Sequence, residues 1–301
     1  MLIEVLHCLK FMPSNMDKDR RHPRRQFNPA LVASYLLGRK IESVQLMALG
    51  KSNTNYRLIL TDGEVCVLRL HNPGSNTERE KHILHLVRKV VPVPALLASG
   101  SDWSIHSFVE GTTLADAPQC VQVGAEALAR IASLRFTSSG WIQADGSIAP
   151  FDFGNGKSFV ESMLERSDVC AWVGSKTAVA LRRIDLEQQP DTEEPRLVHG
   201  DFNPTNILVH KGAVTGILDW EFSHAGSPYM DIGNLLRHMD PMYHGEIEAG
   251  LVAGGLNVPP DWRRKAELMD LNSHLEFLTT QRSDAFKQKC ADWIRDFVER
   301  Y

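Results

Sequence analysis

Two carboxylates and one carboxamide stand close together in the second half of the chain. Asp201 follows a His-Gly pair, Asn206 comes five residues later, and Asp219 ends a run of alternating residues. Carboxylate and carboxamide oxygens suit Mg²⁺, a hard cation that completes its shell with water and phosphate oxygens. A further carboxylate can orient an attacking hydroxyl and accept its proton. The pattern therefore predicts phosphoryl transfer, with Asp201 as the base and Asn206 and Asp219 as metal ligands.

Three short strands must position these groups. Apolar alternation predicts strands over residues 196–199, 206–210 and 214–218, with Lys211-Gly212 as the turn. A two-residue turn would place Asn206 opposite Ile217, and a four-residue loop would place it opposite Asp219. Either register makes Asn206 and Asp219 neighbours. The alternative is an Asx-rich turn that caps two buried strands, without any chemistry.

A small polar loop near the amino terminus indicates a nucleotide clamp. Strands are predicted over residues 43–49, 56–60 and 64–71, and residues 50–55 connect the first two. Backbone N–H groups and hydroxyls in such a loop can face phosphate oxygens. The predicted nucleotide contacts from this loop are Gly50, Ser52, Asn53, Thr54 and Asn55.

Two charged residues follow that loop in the order that a kinase requires. Arg69 would lie on the central strand of the small sheet, where its planar guanidinium suits phosphate. Helical spacing over residues 77–87 places Glu80 on the next helix, as the expected partner of Arg69. The alternative for both residues is an ordinary solvent-exposed charge.

These residues and their order resemble the aminoglycoside phosphotransferase and choline kinase-like family of small-molecule kinases. The motif His-Gly-Asp, four residues, Asn, then Ile-x-Asp-Trp is matched by residues 199–206 and 217–220. The resemblance extends from about Phe27 to the carboxyl end. It implies an α/β (α+β), two-lobed protein-kinase-like fold, and the base and two metal-ligand roles already assigned to Asp201, Asn206 and Asp219.

The family resemblance also predicts a domain division. Residues 1–26 would form a flexible arm, and residues 27–106 a small lobe with an antiparallel sheet and the phosphate clamp. Residues 107–301 would form a mainly helical lobe with the hinge, catalytic loop, metal site and acceptor pocket. Similarity to the family further implies Mg²⁺ as cofactor, ATP or GTP as phosphate donor, and adenine contacts through the hinge backbone at Ser107 and Val109.

Two further segments receive roles from the resemblance. Residues 226–233 match an element in which the acid, here Asp231, braces the catalytic loop; this acid is also expected to cap its own helix. Loop 140–156 contains interleaved aromatic residues, and Trp141 and Phe153 are candidate walls of the acceptor pocket. Equally, these aromatic side chains could simply pack the lobe.

Composition sets limits on partners and location. The chain has 301 residues, 43% of them hydrophobic, and a formal net charge of −4, so no nucleic-acid partner is expected. Residues 18–25 are basic, which is more typical of a disordered arm. Five scattered cysteines without a Cys-x-x-Cys pair predict reduced thiols and a cytoplasmic location. No uncharged stretch is long enough for a membrane span, so no membrane partner is expected.

The sequence therefore predicts a kinase that transfers the γ-phosphate of ATP or GTP to a hydroxyl of a small molecule. The acceptor stays open among aminoglycosides, macrolides, amino alcohols and other metabolites. One alternative is a nucleotide-binding pseudo-kinase with a regulatory role. The other is a protein kinase, against which the missing Asp-Phe-Gly and Ala-Pro-Glu markers count.

Overall fold

The computed structural model describes residues 22–47, 52–74, 76–154, 156–187 and 194–301. The chain divides into two compact units. Unit 1 consists of Met1–Ser75 and Leu96–Phe108, and unit 2 of Asn76–Ala95 and Val109–Tyr301. This division assigns the helix after Asn76 to unit 2, whereas the prediction included it in the small lobe. The predicted lobe boundaries stay a prediction.

Unit 1 contains a five-stranded antiparallel sheet in the order β1-β2-β3-β5-β4. A short helix precedes the sheet in the chain. The elements are α1 (Ala33–Leu36), β1 (Ile41–Leu46), β2 (Thr54–Leu60), β3 (Val65–Leu70), β4 (Leu96–Ser99) and β5 (Trp103–Ser107).

Strict alternation along β3 and β5 gives this sheet two different faces. On one face Leu68, Leu70 and Ile105 are fully buried and pack with Val32 of the preceding segment. The opposite face carries Arg69 and His71 of the β3 side together with Ser104 and His106 of β5. Polar residues therefore occupy the face that the apolar core of unit 1 does not use.

The described residues of unit 2 are mainly helical and form three small antiparallel sheets. Its elements in chain order are α2 (Thr77–Val87), β6 (Thr112–Thr113), α3 (Val121–Ile131), β7 (Trp141–Ile142), β8 (Ile148–Ala149), α4 (Phe159–Leu164), α5 (Ser167–Val173), α6 (Ser175–Glu187), β9 (Arg196–Val198), β10 (Ile207–His210), β11 (Ala213–Ile217), β12 (His224–Gly226), α7 (Tyr229–His238), α8 (His244–Ala253), α9 (Trp262–Thr279) and α10 (Asp284–Arg300).

Two apolar clusters hold unit 2 together. One joins α2, α3, α7 and α8 to strands β9–β11, and it contains the fully buried Phe202, Ile207 and Ile217. The other joins α4, α5 and α6 to α9 and α10. Phe202 lies in the predicted catalytic loop, residues 199–206. That loop is therefore fixed by the core rather than by surface contacts alone.

The β10–β11 hairpin corrects the predicted register. Its two-residue turn is confirmed, because His210 pairs with Ala213, and Lys211 and Gly212 both have positive φ, 49° and 78°. However, Ile207 rather than Asn206 pairs with Ile217, and neither predicted pairing of Asn206 occurs. The reason is an irregularity in the register between Leu208 and Val209. A bulge of this kind moves every later pairing by one residue.

The strands on either side of the predicted polar loop of unit 1 have other bounds than expected, and β1 already ends at Leu46. Strand β2 begins at Thr54, and Asn55 already pairs with Arg69 of β3. Gly50 lies outside the described residues.

In the part of the chain that the structure describes, no helix is both long and apolar enough to cross a membrane.

Candidate active site

The catalytic loop connects β9 to β10 and carries Asp201. Gly200 has a φ of 82°, and a Cβ at this position would lie 2.5 Å from the carbonyl oxygen of Phe222. Only glycine fits such a close approach in a left-handed conformation. The loop ends in a 3₁₀ turn, Pro204–Asn206, which leads directly into β10. The sequence of the loop therefore determines its tight path.

Amide groups hold the carboxylate of Asp201. Asn203 Nδ2 donates to Asp201 Oδ1 at 2.9 Å, and Asn206 Nδ2 donates to Asp201 Oδ2 at 3.1 Å. Asn206 Nδ2 also donates to the Asp201 backbone carbonyl at 2.9 Å. Since the nitrogen of the Asn206 amide is committed to Asp201, its oxygen Oδ1 is the atom left for a cation. The structure thus brings the predicted base and one predicted metal ligand together.

His199 joins the catalytic loop to the strand that precedes Asp219. Its Nε2 lies 2.8 Å from the Leu218 carbonyl oxygen, so this nitrogen carries the proton, and its Nδ1 accepts from the Asp201 N–H at 3.2 Å. The ring is fully buried, with its centroid 4.5 Å from that of Trp220. A buried imidazole with a partner on each ring nitrogen therefore fixes the Asp201 loop and the strand before Asp219 in one arrangement.

Asp219 adopts a left-handed backbone conformation, with φ 64° and ψ 65°. Aspartate tolerates this conformation better than most residues, and such strained positions cluster at functional sites. The Leu218 N–H donates to the Asn206 carbonyl at 2.8 Å, which holds Asp219 beside Asn206. Both predicted metal ligands are therefore neighbours, as expected, although the strand register is different.

Asp231 supports the catalytic loop from helix α7. Its carboxylate accepts the N–H of His199 at 2.6 Å and the N–H of Gly200 at 2.9 Å. Burial raises the pKa of Asp231 to about 6, although His199 and the two N–H donors act in the opposite direction. The expected capping role is wrong, because α7 begins at Tyr229 and both Asp231 oxygens are used by the loop.

The described part of the predicted phosphate loop is held by its own neighbours. Asn53 Oδ1 accepts the Asn72 N–H at 3.1 Å, and Asn72 Nδ2 donates to the Ser52 carbonyl. Thr54 Oγ1 accepts the Arg25 N–H at 3.0 Å. The side chains of Asn53 and Thr54 are buried. Their assignment to nucleotide binding, like that of Ser52 and Asn55, stays a prediction.

The other predicted nucleotide contacts lie on three elements and, for Val109, on the segment between β5 and β6. Arg69 is on β3 opposite Ser104, and Glu80 is in the first turn of α2. Ser107 ends β5, and Val109 lies against Gly216 of β11. Their roles in clamping phosphate and binding adenine stay predictions.

A hydrogen-bond network joins two histidines to a serine of β5, and the sequence analysis did not predict it. His71 Nε2 lies 3.0 Å from Ser104 Oγ, and His106 Nε2 lies 2.8 Å from the same oxygen. Burial, together with the charges of Arg69 and His71, lowers the pKa of His106 to about 3. The polar residues at alternate positions of two apolar strands, 69 and 71 with 104 and 106, were the signal for this network.

Aromatic side chains cluster beside strand β12. Trp141 lies 5.4 Å from Phe151 and 5.6 Å from His224 between ring centroids, and Phe153 stacks on Phe151 at 5.8 Å. Trp141 is 41% exposed and Phe153 is 38% exposed. His224 pairs with Val198, three residues before Asp201, so the cluster lies near the catalytic loop. Its predicted role as an acceptor wall stays a prediction.

Comparison with known proteins identifies the family. Residues 43–268, about three quarters of the chain, match the phosphotransferase enzyme family, APH. The chain belongs to this family. The resemblance inferred from the catalytic motif is thereby confirmed.

Two curated relatives show how far the similarity extends. Hygromycin-B 4-O-kinase of Escherichia coli is 24% identical over 193 residues, which cover 58% of this chain and 56% of the relative. Acyl-CoA dehydrogenase family member 11 of Gallus gallus is 27% identical over 225 residues, which cover 63% of this chain and 27% of the relative. The chain therefore spans about half of the first relative and about a quarter of the second.

Solved structures establish the fold. A macrolide 2'-phosphotransferase matches with a TM-score of 0.66 and 17% identity, covering 88% of this chain and 94% of that one. An aminoglycoside phosphotransferase in a ternary complex with AMP-PNP and hygromycin B matches with a TM-score of 0.64 and 18% identity, covering 89% and 98%. The predicted α+β kinase-like fold, with a small antiparallel sheet and a mainly helical part, is confirmed.

Proposed function

We propose that this protein is a Mg²⁺-dependent kinase that transfers the γ-phosphate of ATP or GTP to a hydroxyl of a small molecule. The observation that supports it best is the position of the Asp201 carboxylate. Two amide donors hold it in place, and one of them, Asn206, is also the neighbour of Asp219. This arrangement combines a candidate base with a candidate metal site in a few residues.

Asp201 has the role of aligning the acceptor. Its carboxylate oxygens orient the attacking hydroxyl, and one of them accepts the hydroxyl proton as the bond to phosphorus forms. The Asn203 and Asn206 amides restrict the carboxylate to one orientation. The hydrogen bond from the His199 N–H to Asp231 and the one from the Asp201 N–H to His199 Nδ1 keep the loop backbone fixed.

The residues present fit a magnesium ion. The Asn206 amide nitrogen is used by Asp201, so its oxygen and the Asp219 carboxylate are the two candidate oxygen ligands. Mg²⁺ is usually bound by one or two protein groups together with substrate phosphates. Bound Mg²⁺ would neutralise negative charge on the phosphates.

The nucleotide is assigned to the polar elements of unit 1 and to α2 and the hinge. We infer phosphate contacts from the loop at residues 50–55, Arg69 and Glu80, and base contacts from the backbone at Ser107 and Val109. An ATP-type donor is supported by the structurally similar aminoglycoside phosphotransferase, whose complex contains AMP-PNP. A cytoplasmic location is part of the proposal, supported by the free thiols of Cys66, Cys120, Cys170 and Cys290.

Relatives narrow the acceptor to a testable panel. The names of two of them specify hygromycin B and macrolides as acceptors. The name of another contains acyl-CoA, so a hydroxyacyl-CoA belongs in the panel as well. The aromatic cluster around Trp141 and Phe153 would favour an acceptor with an apolar or sugar-like face. A regulatory nucleotide-binding protein and a protein kinase are the alternatives in other classes.

The test is coupled ADP and GDP release by the purified protein with Mg²⁺. The panel contains aminoglycosides, macrolides, amino alcohols, sugars and a hydroxyacyl-CoA. We expect acceptor-dependent release that falls by about 10²- to 10⁴-fold in Asp201→Asn, with nucleotide affinity retained. Asp219→Asn should instead weaken binding of the Mg-nucleotide. Asp296→Asn, at an exposed position of α10, is the matched control and should behave as wild type.

The outcomes separate the candidates. Unchanged turnover in Asp201→Asn would exclude its role as base. Nucleotide binding without turnover on any acceptor of the panel would favour the regulatory alternative. Phosphorylation of a peptide substrate but of no small molecule would favour a protein kinase.

A further inference from the structure

Arg79 on helix α2 makes an unusual set of contacts. Its Nε donates to the carbonyl of Ile142 at 2.8 Å, and its Nη1 donates to the carbonyl of Glu221 at 2.9 Å. Its Nη2 donates to the carbonyl of Ser223. The guanidinium also lies over the ring of Trp141, 5.3 Å from the centroid. Three backbone carbonyls from two segments thus converge on one side chain.

The segment that Arg79 binds begins two residues after Asp219. Residues Trp220–Phe222 form the 3₁₀ turn that follows the candidate metal ligand. Ser223 continues the connection, because its Oγ lies 3.3 Å from the carbonyl oxygen of His199 in the catalytic loop. Arg79 therefore binds the segment that directly follows Asp219, and Ser223 of this segment contacts the catalytic loop.

The contacts are too specific for a generic surface arginine. The side chain is half-buried, and loss of solvent lowers the pKa of Arg79, which Glu80 partly offsets. Hydrogen bonds from a charged donor are stronger than those between neutral groups. The planar fork of arginine can donate in several fixed directions, whereas lysine offers a single charged nitrogen. Only arginine can hold all three carbonyls at once.

We propose that Arg79 is a positioning residue for phosphoryl transfer, which fixes the turn after Asp219 and thereby the orientation of the metal-binding carboxylate. This inference rests on the proposed function for its catalytic meaning. Its structural part stands independently, since it concerns the order of the segment from Asp219 to Ser223. The matched control is Arg88→Met, at an exposed arginine just after the same helix.

The first test is amide hydrogen exchange of the protein without ligands. We expect Arg79→Met to increase exchange in residues 219–223 by about tenfold or more, while α7 exchanges as in wild type. Arg79→Lys should give an intermediate increase, because lysine can replace only some of the bonds. Arg88→Met should change nothing. Unaltered exchange in residues 219–223 of Arg79→Met would overturn the proposal, whether or not the protein is a kinase.

The second test separates metal binding from nucleotide binding. Free Mn²⁺ is measured by electron paramagnetic resonance during titration of the protein, with and without AMP-PNP. We expect Arg79→Met to weaken Mn²⁺ binding about tenfold and to lower kcat, with a smaller effect on the KM for nucleotide. Addition of millimolar guanidinium to Arg79→Ala should restore part of both. Wild-type metal affinity together with wild-type kcat in Arg79→Met would overturn the proposal.

These two measurements distinguish failure of the inference from failure of the proposed function. Faster exchange in residues 219–223 without any Mn²⁺ binding by wild type would retain the structural role and refute the kinase assignment. Metal-dependent turnover in wild type that Arg79→Met and Arg79→Lys both retain would support the kinase assignment and refute the positioning role of Arg79. If Arg79→Met fails to fold, Arg79→Lys supplies the same comparison with a smaller expected change.

Discussion

Unit 1 and unit 2 each bury a titratable group beside the residues predicted to bind substrate, but the two groups have opposite charge when ionised. In unit 1, burial lowers the pKa of His106 to about 3, so the imidazole is neutral. In unit 2, burial raises the pKa of Asp231 to about 6. Desolvation disfavours the charged form in both cases, and it therefore shifts acids and bases in opposite directions.

The comparison shows two ways of keeping a polar site rigid. Unit 1 joins two imidazoles through the hydroxyl of Ser104, on the sheet face next to Arg69. A neutral His106 avoids adding positive charge beside the predicted phosphate ligand. Unit 2 uses a carboxylate, because two backbone N–H groups of the catalytic loop need an acceptor. The two networks should consequently respond to pH in opposite senses.

The largest expected effect concerns Asp231. Its pKa is about 6 in the folded protein, against an ordinary value of 3.8 for aspartate, so the unfolded chain releases its proton first as the pH rises. Wild type should therefore lose up to about 3 kcal/mol of stability relative to Asp231→Asn between pH 4 and pH 7. Urea unfolding of both proteins at the two pH values measures this difference. Parallel pH profiles would show that burial does not govern Asp231, and Asp296→Asn serves as the exposed control.

The next effect has the opposite sign and concerns His106. Its pKa falls from 6.5 to about 3 on folding, so the unfolded chain takes up a proton first as the pH falls. Because the side chain is only half-buried, we expect wild type to lose about 1 to 2 kcal/mol relative to His106→Gln between pH 8 and pH 5. The same urea experiment tests it. His210→Gln, at an exposed position, should follow wild type throughout.

The smallest effect sharpens the role of the hydroxyl between the imidazoles. Ser104→Ala removes the shared partner of His71 and His106 in a buried position. An unsatisfied buried polar group costs about 1 to 3 kcal/mol, and relaxation should keep the loss near 1 kcal/mol at pH 8. Ser104→Thr preserves the hydroxyl and is the matched control. Equal stability of Ser104→Ala and wild type would mean that the bridge is incidental.

The catalytic loop was largely predictable because its chemistry is local in sequence. Asp201 and Asn206 lie five residues apart, and the structure joins them by two hydrogen bonds from one amide. The turn at Lys211-Gly212 was predictable for the same reason, since both residues need only local backbone preferences. The register of that hairpin was not predicted, because the irregularity between Leu208 and Val209 shifts the pairing by one residue.

Long-range contacts do not follow from local sequence patterns. The brace by Asp231 was expected from the family resemblance and is confirmed, whereas the contacts of Arg79 were not expected. Asp231 reaches back 31 residues to Gly200, and Arg79 reaches 144 residues forward to Ser223. Asp231 was expected to cap its own helix because local geometry allows it. Instead, its carboxylate accepts the N–H groups of His199 and Gly200, which would otherwise lack an acceptor.

The sequence by itself determined the family, the kinase-like fold and the residues proposed for catalysis, because alternation, turn chemistry and motif spacing are properties of short segments. Tertiary structure alone decided which elements those residues brace. The neutral His106 beside Arg69, the burial of the Asp231 carboxylate under the catalytic loop and the contacts of Arg79 behind Asp219 all depend on burial and on partners distant in the chain. Burial is a property of the whole fold, so no local pattern of residues specifies it.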